Sequence, residues 1–94
     1  MKIFYSSYAK QELFDAIDFY ELEHIGLGKE FKLAIQQASL RILNHPLAWS
    51  VEKGDIRKHL LHRFPYKILY SIEADHIFII AIAHQHRKPD YWQE

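Results

Sequence analysis

A run of seven apolar residues near the carboxyl end, IFIIAIA at positions 77–83, constrains the fold more than any other feature. The run is rich in β-branched isoleucine and lacks the polar positions of a strand with one wet face. It is also short for a buried helix, which usually needs about ten residues or more. We therefore expect a central β-strand that is covered on both faces.

Apolar residues at helical spacing predict two helices earlier in the chain. From Tyr8 onward, and again from Leu27 onward, such residues recur every three or four positions and share one helical face. Ser6 and Ser7 suit the N-cap of the first helix, and Gly26 suits its C-cap. Because the turn between the two helices is short, they should form an antiparallel hairpin.

Three shorter segments are predicted to complete the sheet. Residues 3–5 and 56–63 have strand character, and residues 66–72 alternate with a period of two. Residues 47–55 have loop character, since proline, serine and glycine punctuate them. The predicted order is β-α-α-β-β-β, an α+β domain over residues 1–94 with a helical hairpin packed on a small, mainly antiparallel sheet.

Composition narrows the class of protein. A chain of 94 residues with 49 % hydrophobic content supports one core and lies outside the range of disordered chains. The absence of cysteine excludes disulfide frameworks and thiolate zinc sites. Polar residues interrupt the amino-terminal segment, so we expect no signal peptide, no membrane association and a cytoplasmic location.

Charge is distributed unevenly although the formal net charge is zero. Residues 9–30 carry a net charge of −4, and residues 53–67 carry +4. A basic face of this kind can steer an anionic partner, and two ordinary solvated faces would look the same in sequence.

The carboxyl end brings polar side chains directly after the apolar run, beginning with His84 and His86. A zinc site would need four ligands, and the sequence does not name them, so we expect no metal and no other cofactor. A histidine at a strand end could exchange a proton near neutral pH, with Tyr91 orienting or donating. Arg63 and Arg87 could hold a phosphate group by paired hydrogen bonds.

A polar strand end remains the alternative for the same residues, with His84 satisfying a backbone group and the aromatic residues closing the core edge. Trp92, Tyr91 or Trp49 could instead stack on an unpaired nucleotide. In either case we expect the apolar run to anchor the sheet, and the stretch from His84 onward to lie over the basic face.

Three short motifs occur in a characteristic order along the chain. They are LGKEF at positions 27–31, RFPYKILY at 63–70 and AHQHRKPDYW at 83–92. Together they resemble the RelE/ParE superfamily of type II toxin–antitoxin toxins over essentially the whole chain. The resemblance implies a small bacterial toxin that is held inactive by a co-expressed antitoxin, whose carboxyl-terminal segment wraps the hairpin and the sheet.

The resemblance also implies roles for particular residues. Arg87 stands where RelE-like nucleases keep an arginine just past the last main strand. Lys67 replaces the arginine that is usual after the tyrosine that opens the preceding strand. Lys58 falls near a lysine of the first sheet strand, and Tyr91 lies closer to Arg87 than the family's carboxyl-terminal tyrosine does. His84 resembles the histidine that ends the last strand of ParE-like members.

Three functions follow as hypotheses. RelE-like members cut messenger RNA in the ribosome, whereas ParE-like members poison DNA gyrase without being nucleases. The incomplete basic set and the neutral net charge favour gyrase, with contacts from Arg57, Lys58, Arg63, Lys67 and Trp92. The alternative is a ribosome-dependent endoribonuclease with the catalytic residues His84, His86, Arg87 and Tyr91. The third is an inactive homologue that only binds its antitoxin.

Three large apolar residues lie off the inward stripe of the first helix, namely Phe14, Phe19 and Leu22. A chain of this size cannot hide every such group, and a helix of the antitoxin could cover them.

Overall fold

The computed structural model describes residues 1–86 and contains two helices and five strands. In chain order the elements are β1 (Lys2–Tyr5), α1 (Ser7–Glu23), α2 (Leu27–Asn44), β2 (Val51–Lys53), β3 (Ile56–Leu60), β4 (Tyr66–Ile72) and β5 (His76–His84). The α+β class and the order of the predicted elements are confirmed. Within the described residues, neither helix is long and apolar enough to cross a membrane.

Two strand predictions are wrong in detail. Residues 51–53, predicted as part of a loop, form β2 and pair with β3 across Gly54, whose φ of 56° permits the tight turn. A strand of three residues is too short to show alternation in sequence. β3 ends at Leu60 instead of residue 63, because the backbone N–H of Leu61 already donates to Tyr66 in the turn toward β4.

The sheet has the order β1-β5-β4-β3-β2, which makes β5 an internal strand as expected. β1 runs parallel to β5, and the other pairs are antiparallel. Ile77 and Ile79 lie in the core beneath the helices, while Ala81 points to the other face and is equally buried. The two-sided burial explains why the sequence of β5 is apolar throughout.

A β-bulge in β5 changes which residues face the helices. Tyr70 pairs with Ile79 and Leu69 pairs with Ala81, so Ile80 is the extra residue. Beyond the bulge the alternation is shifted by one position, and Ile82 joins the core. His84, two residues further on, therefore lies on the helical side of the sheet.

Ser6 joins α1 to this bulge. Its hydroxyl accepts a hydrogen bond from the N–H of Ala9 at 2.9 Å, which confirms the predicted N-cap. The same hydroxyl donates to the carbonyl of Ile80 at 2.8 Å. The start of α1 is thus fixed against β5 at the residue where the strand alternation changes.

The two helices form the predicted hairpin and approach each other closely at Gly28. A Cβ atom at Gly28 would lie 2.6 Å from the carbonyl oxygen of Ile17. Gly26 does not cap α1 as predicted, because α1 ends at Glu23 with His24 as its C-cap, and Gly26 takes the N-cap position of α2 with a φ of 88°. The Glu21 carboxylate accepts hydrogen bonds from the N–H groups of Gly26 and Gly28, which helps to satisfy the first turn of α2.

Candidate functional site

The end of β5 carries two exposed histidines on a fixed backbone. His84 pairs with Tyr66 of β4, and their ring centroids are 5.7 Å apart. The ring of His86 lies 5.4 Å from that of His84, and the N–H of His86 donates to Nδ1 of His84 at 3.3 Å. Both imidazoles are solvent-exposed and positioned to contact a partner.

Gln85 holds this end of the strand in place. Its N–H donates to the carbonyl of Pro65 at 2.8 Å, and its side-chain amide donates to the carbonyl of Leu61 at 3.2 Å. These bonds tie the residue between the two histidines to the β3–β4 loop. Sequence reasoning did not assign Gln85 this structural role, because its partners lie about twenty residues away.

A groove of about 310 Å³ lies between α1 and the end of β5, and we call it the His84 groove. Its walls include Glu12, Asp15 and Phe19 of α1, with Tyr66 and His84 from the sheet. Burial, and then the nearby Glu12 carboxylate, raise the pKa of Tyr66, which keeps its hydroxyl protonated at neutral pH. The groove therefore combines carboxylates with aromatic rings.

Glu12 also completes the hydrogen bonding of β5. β1 ends beside Ile79, and the Glu12 carboxylate then accepts the N–H of Ile82 at 2.8 Å. The Glu12 side chain thus supplies the acceptor that a longer β1 would have offered to this N–H through its backbone. No local pattern in the sequence indicates this contact, because the two residues are 70 positions apart.

Two basic residues of the sheet, Lys58 and Lys67, lie on the opposite face from His84. Lys67 is paired with Ala83, one residue before His84, and strand alternation turns its side chain away from the helices. Lys67 is 5 % exposed, and its Nζ lies 3.7 Å from Oε1 of Glu52. Lys58 approaches the same carboxylate oxygen at 3.4 Å. The expectation that the stretch from His84 onward lies over the basic face is therefore wrong for His84, and the bulge at Ile80 is the reason.

The two arginines proposed for target contact have partners elsewhere. Arg57 donates to the carbonyl of Trp49 at 2.6 Å and so supports the loop before β2. Arg63 lies 2.5 Å from Oε1 of Glu30 on α2, with its guanidinium 5.3 Å from the ring centroid of Phe64. Arg63 borders a separate groove of about 400 Å³ between α2 and the β3–β4 loop.

His59 is buried, with 3 % of its surface exposed, and its ring packs 4.4 Å from that of Trp49. Burial, followed by the positive charges of Arg41 and His62, lowers the pKa of His59 to about 4. Neither ring nitrogen has a hydrogen-bond partner among the described residues. His59 is therefore a neutral core residue at physiological pH. Within residues 1–86, no group of three or more acidic or histidine side chains is arranged to hold a metal ion.

The outward surface of α1 exposes the three apolar residues that the sequence singled out. Phe14 is 56 % exposed, Phe19 54 % and Leu22 89 %. Ile25, which the sequence reasoning missed, lies in the turn after the helix and is also 89 % exposed. We call Phe14, Phe19, Leu22 and Ile25 the α1 apolar surface.

The remaining predicted site residues, Arg87, Tyr91 and Trp92, lie outside the described residues.

A helical hairpin on one face of a five-stranded sheet, with apolar residues exposed along α1, defines a class of small two-layer domains with surface available to a protein partner. A family model described as "ParE toxin of type II toxin-antitoxin system, parDE" matches residues 3–89. The chain belongs to this ParE toxin family. Its function is that of a type II toxin, and the family implies an antitoxin partner.

One solved structure, "Chromosomal ParDE TA system from P. aeruginosa", is similar with a TM-score of 0.66. The match has 16 % sequence identity and covers 89 % of this chain and 95 % of that chain. At this identity the similarity shows the fold alone. No curated protein matches the sequence.

Proposed function

We propose that this ParE-family toxin arrests growth by binding and poisoning DNA gyrase, and that it does not cut RNA. The observation that carries the proposal is the separation of His84 from Lys58 and Lys67 by the thickness of the sheet.

Metal-free RNA cleavage needs a base, an acid and cations gathered around one phosphate group. Here His84 faces α1, whereas Lys58 and Lys67 share Glu52 on the opposite face. Arg63 lies in a third place, beside Glu30 of α2. A site with its parts divided in this way is better suited to protein binding, in which the exposed end of β5 makes contact with the target.

A RelE-like endoribonuclease is the second candidate, and one observation favours it. The rings of His84 and His86 are exposed and their centroids are 5.4 Å apart, so one ring could accept a proton while the other donates one. In this alternative, phosphate-binding cations would have to reach the histidines from residues other than Lys58, Lys67 and Arg63.

The antitoxin is proposed to cover the α1 apolar surface. Four large apolar side chains, two of them almost fully exposed, form a surface that a partner helix can bury. Binding of the antitoxin would remove this apolar surface from water, which contributes favourably to the free energy of binding.

Induction of the toxin gene without an antitoxin tests the proposal in cells. We expect growth arrest, a DNA-damage response and covalent gyrase–DNA complexes, with messenger RNA intact by primer extension. Ribosome-dependent messenger RNA cleavage without gyrase complexes would support the nuclease instead. Normal growth at full expression would favour an inactive homologue that only binds its antitoxin.

A further inference from the structure

The α1 apolar surface runs directly into the His84 groove. Phe19 belongs to both, since it is exposed on α1 and also forms a wall of the groove. Asp15, one helical turn before Phe19, lies on the same rim. A partner segment that follows α1 across Phe19 therefore reaches His84 without leaving a continuous surface.

The charge of this surface selects the kind of partner. The groove is bordered by the carboxylates of Glu12 and Asp15, and Asp18 and Glu23 are exposed further along α1. The stretch of residues 9–30 carries a net charge of −4. An acidic partner segment would be repelled here, whereas a basic one would be attracted.

The groove walls also fit a particular side chain. A long cationic side chain can place its aliphatic stem along apolar surface and its charged head beside a carboxylate. The rings of Phe19 and Tyr66 offer the faces that favour a guanidinium or an ammonium group. Asp15 is exposed, and its one described hydrogen bond is to the side chain of Gln11, 2.9 Å away.

We infer that the neutralising segment of the antitoxin is a basic amphipathic helix that lies along α1 and inserts an arginine or lysine side chain into the His84 groove. Its apolar residues cover the α1 apolar surface, and its basic residue covers His84. Neutralisation is then direct, because the bound segment occupies the surface proposed to contact gyrase. This inference rests on the proposed function, which supplies the antitoxin as the partner.

The first test measures binding of the toxin to the product of the gene that adjoins its own. Asp15→Lys reverses one charge on the groove rim, and we expect it to weaken binding about tenfold or more at low salt. Phe19→Ala should also weaken binding. The matched control is Asp55→Lys, the same charge change at an exposed site in the turn between β2 and β3, and it should leave affinity within about twofold.

The second test measures the accessibility of His84 directly. Diethyl pyrocarbonate modifies exposed neutral imidazoles, and mass spectrometry locates the modified residues. We expect modification of His84 to fall to background in the complex, while exposed His45 at the end of α2 remains reactive. Circular dichroism and urea unfolding would confirm that each variant is folded.

Two outcomes distinguish failure of this inference from failure of the proposed function. If the wild-type toxin and all variants fail to bind the neighbouring gene product, the proposed antitoxin partnership is overturned, and this inference falls with it. If the antitoxin binds the wild type and Asp15→Lys equally and leaves His84 reactive, the partnership stands and direct coverage of His84 is overturned.

Discussion

At the scale of single residues, Gly28 shows how closely α1 and α2 approach. A Cβ atom there would meet the backbone oxygen of Ile17 at 2.6 Å and the Glu21 side chain at 3.0 Å. Alanine is favoured over glycine within helices by about 1 kcal/mol, but a backbone atom cannot rotate away as a side chain can. The steric cost should therefore exceed the gain in helix propensity.

We predict that Gly28→Ala lowers the free energy of unfolding by about 2 kcal/mol. Urea denaturation monitored by circular dichroism measures this directly. Lys29→Ala, at the exposed neighbouring position of α2, is the control and should be close to neutral. A Gly28→Ala protein as stable as the wild type would contradict the close approach of the helices.

The stability of the folded protein depends on pH through His59, which is not part of the His84 groove. Its pKa is about 4 in the folded protein, because burial disfavours the charged imidazole. In the unfolded chain the value returns to roughly 6.5. As pH falls from 6.5 to 4 the unfolded chain binds the proton first, so the folded state loses stability across that window.

We predict that this histidine contributes a loss of about 2 kcal/mol between pH 7 and pH 5. His59→Leu should remove that part of the pH dependence, whereas His45→Gln, a change at an exposed histidine, should retain it. Urea unfolding of the three proteins at the two pH values decides the matter. Equal losses for wild type and His59→Leu would show that the buried imidazole is not responsible.

At the scale of elements, the join between α1 and β5 sets the geometry of the His84 groove. Ser6 holds the bulge carbonyl at Ile80, and Glu12 accepts the N–H of Ile82. Removal of the Glu12 acceptor leaves a buried N–H unsatisfied, which costs roughly 1–3 kcal/mol.

We predict that Glu12→Ala destabilises the protein by an amount in that range and speeds amide exchange at Ile82 selectively. Glu12→Gln keeps an oxygen acceptor in the same position and should preserve much of the protection. Hydrogen exchange followed by NMR distinguishes the variants residue by residue. Unchanged exchange at Ile82 in Glu12→Ala would refute the link between the helix and the strand.

These elements also show what sequence reasoning can and cannot reach. Apolar periodicity placed both helices correctly, and the continuous apolar run placed β5, because each of these elements buries apolar side chains along most of its length. It missed β2, which is three residues long, and the bulge at Ile80, which depends on pairing with β4 and on Ser6. The bulge decides the face on which His84 lies. The residues of the candidate site could therefore be identified from the sequence, but the face of the sheet on which they lie could not.

At the scale of the whole molecule, the free toxin exposes several large apolar side chains on α1 and in the turn that follows it. Leu22 near the end of α1 and Ile25 in the turn after it are each 89 % exposed, and Phe14 and Phe19 of α1 are more than half exposed. Such a surface promotes self-association when the partner is absent. Binding of the antitoxin would remove the same surface from water.

We predict that the isolated protein self-associates at high concentration, and that Leu22→Gln with Ile25→Gln reduces this association. Leu47→Gln, a change at a leucine 71 % exposed in the loop after α2, is the control and should have little effect. Sedimentation velocity over a concentration series measures the outcome. A wild-type protein that remains monomeric throughout would argue against the role assigned to the α1 apolar surface.

The most direct test of the central claim combines the purified toxin with purified DNA gyrase and supercoiled plasmid. We predict that the toxin causes plasmid cleavage with gyrase covalently attached to the DNA ends, and that prior addition of the antitoxin prevents it. An intact plasmid, together with cleavage of messenger RNA when the same preparation is added to translating ribosomes, would contradict the account.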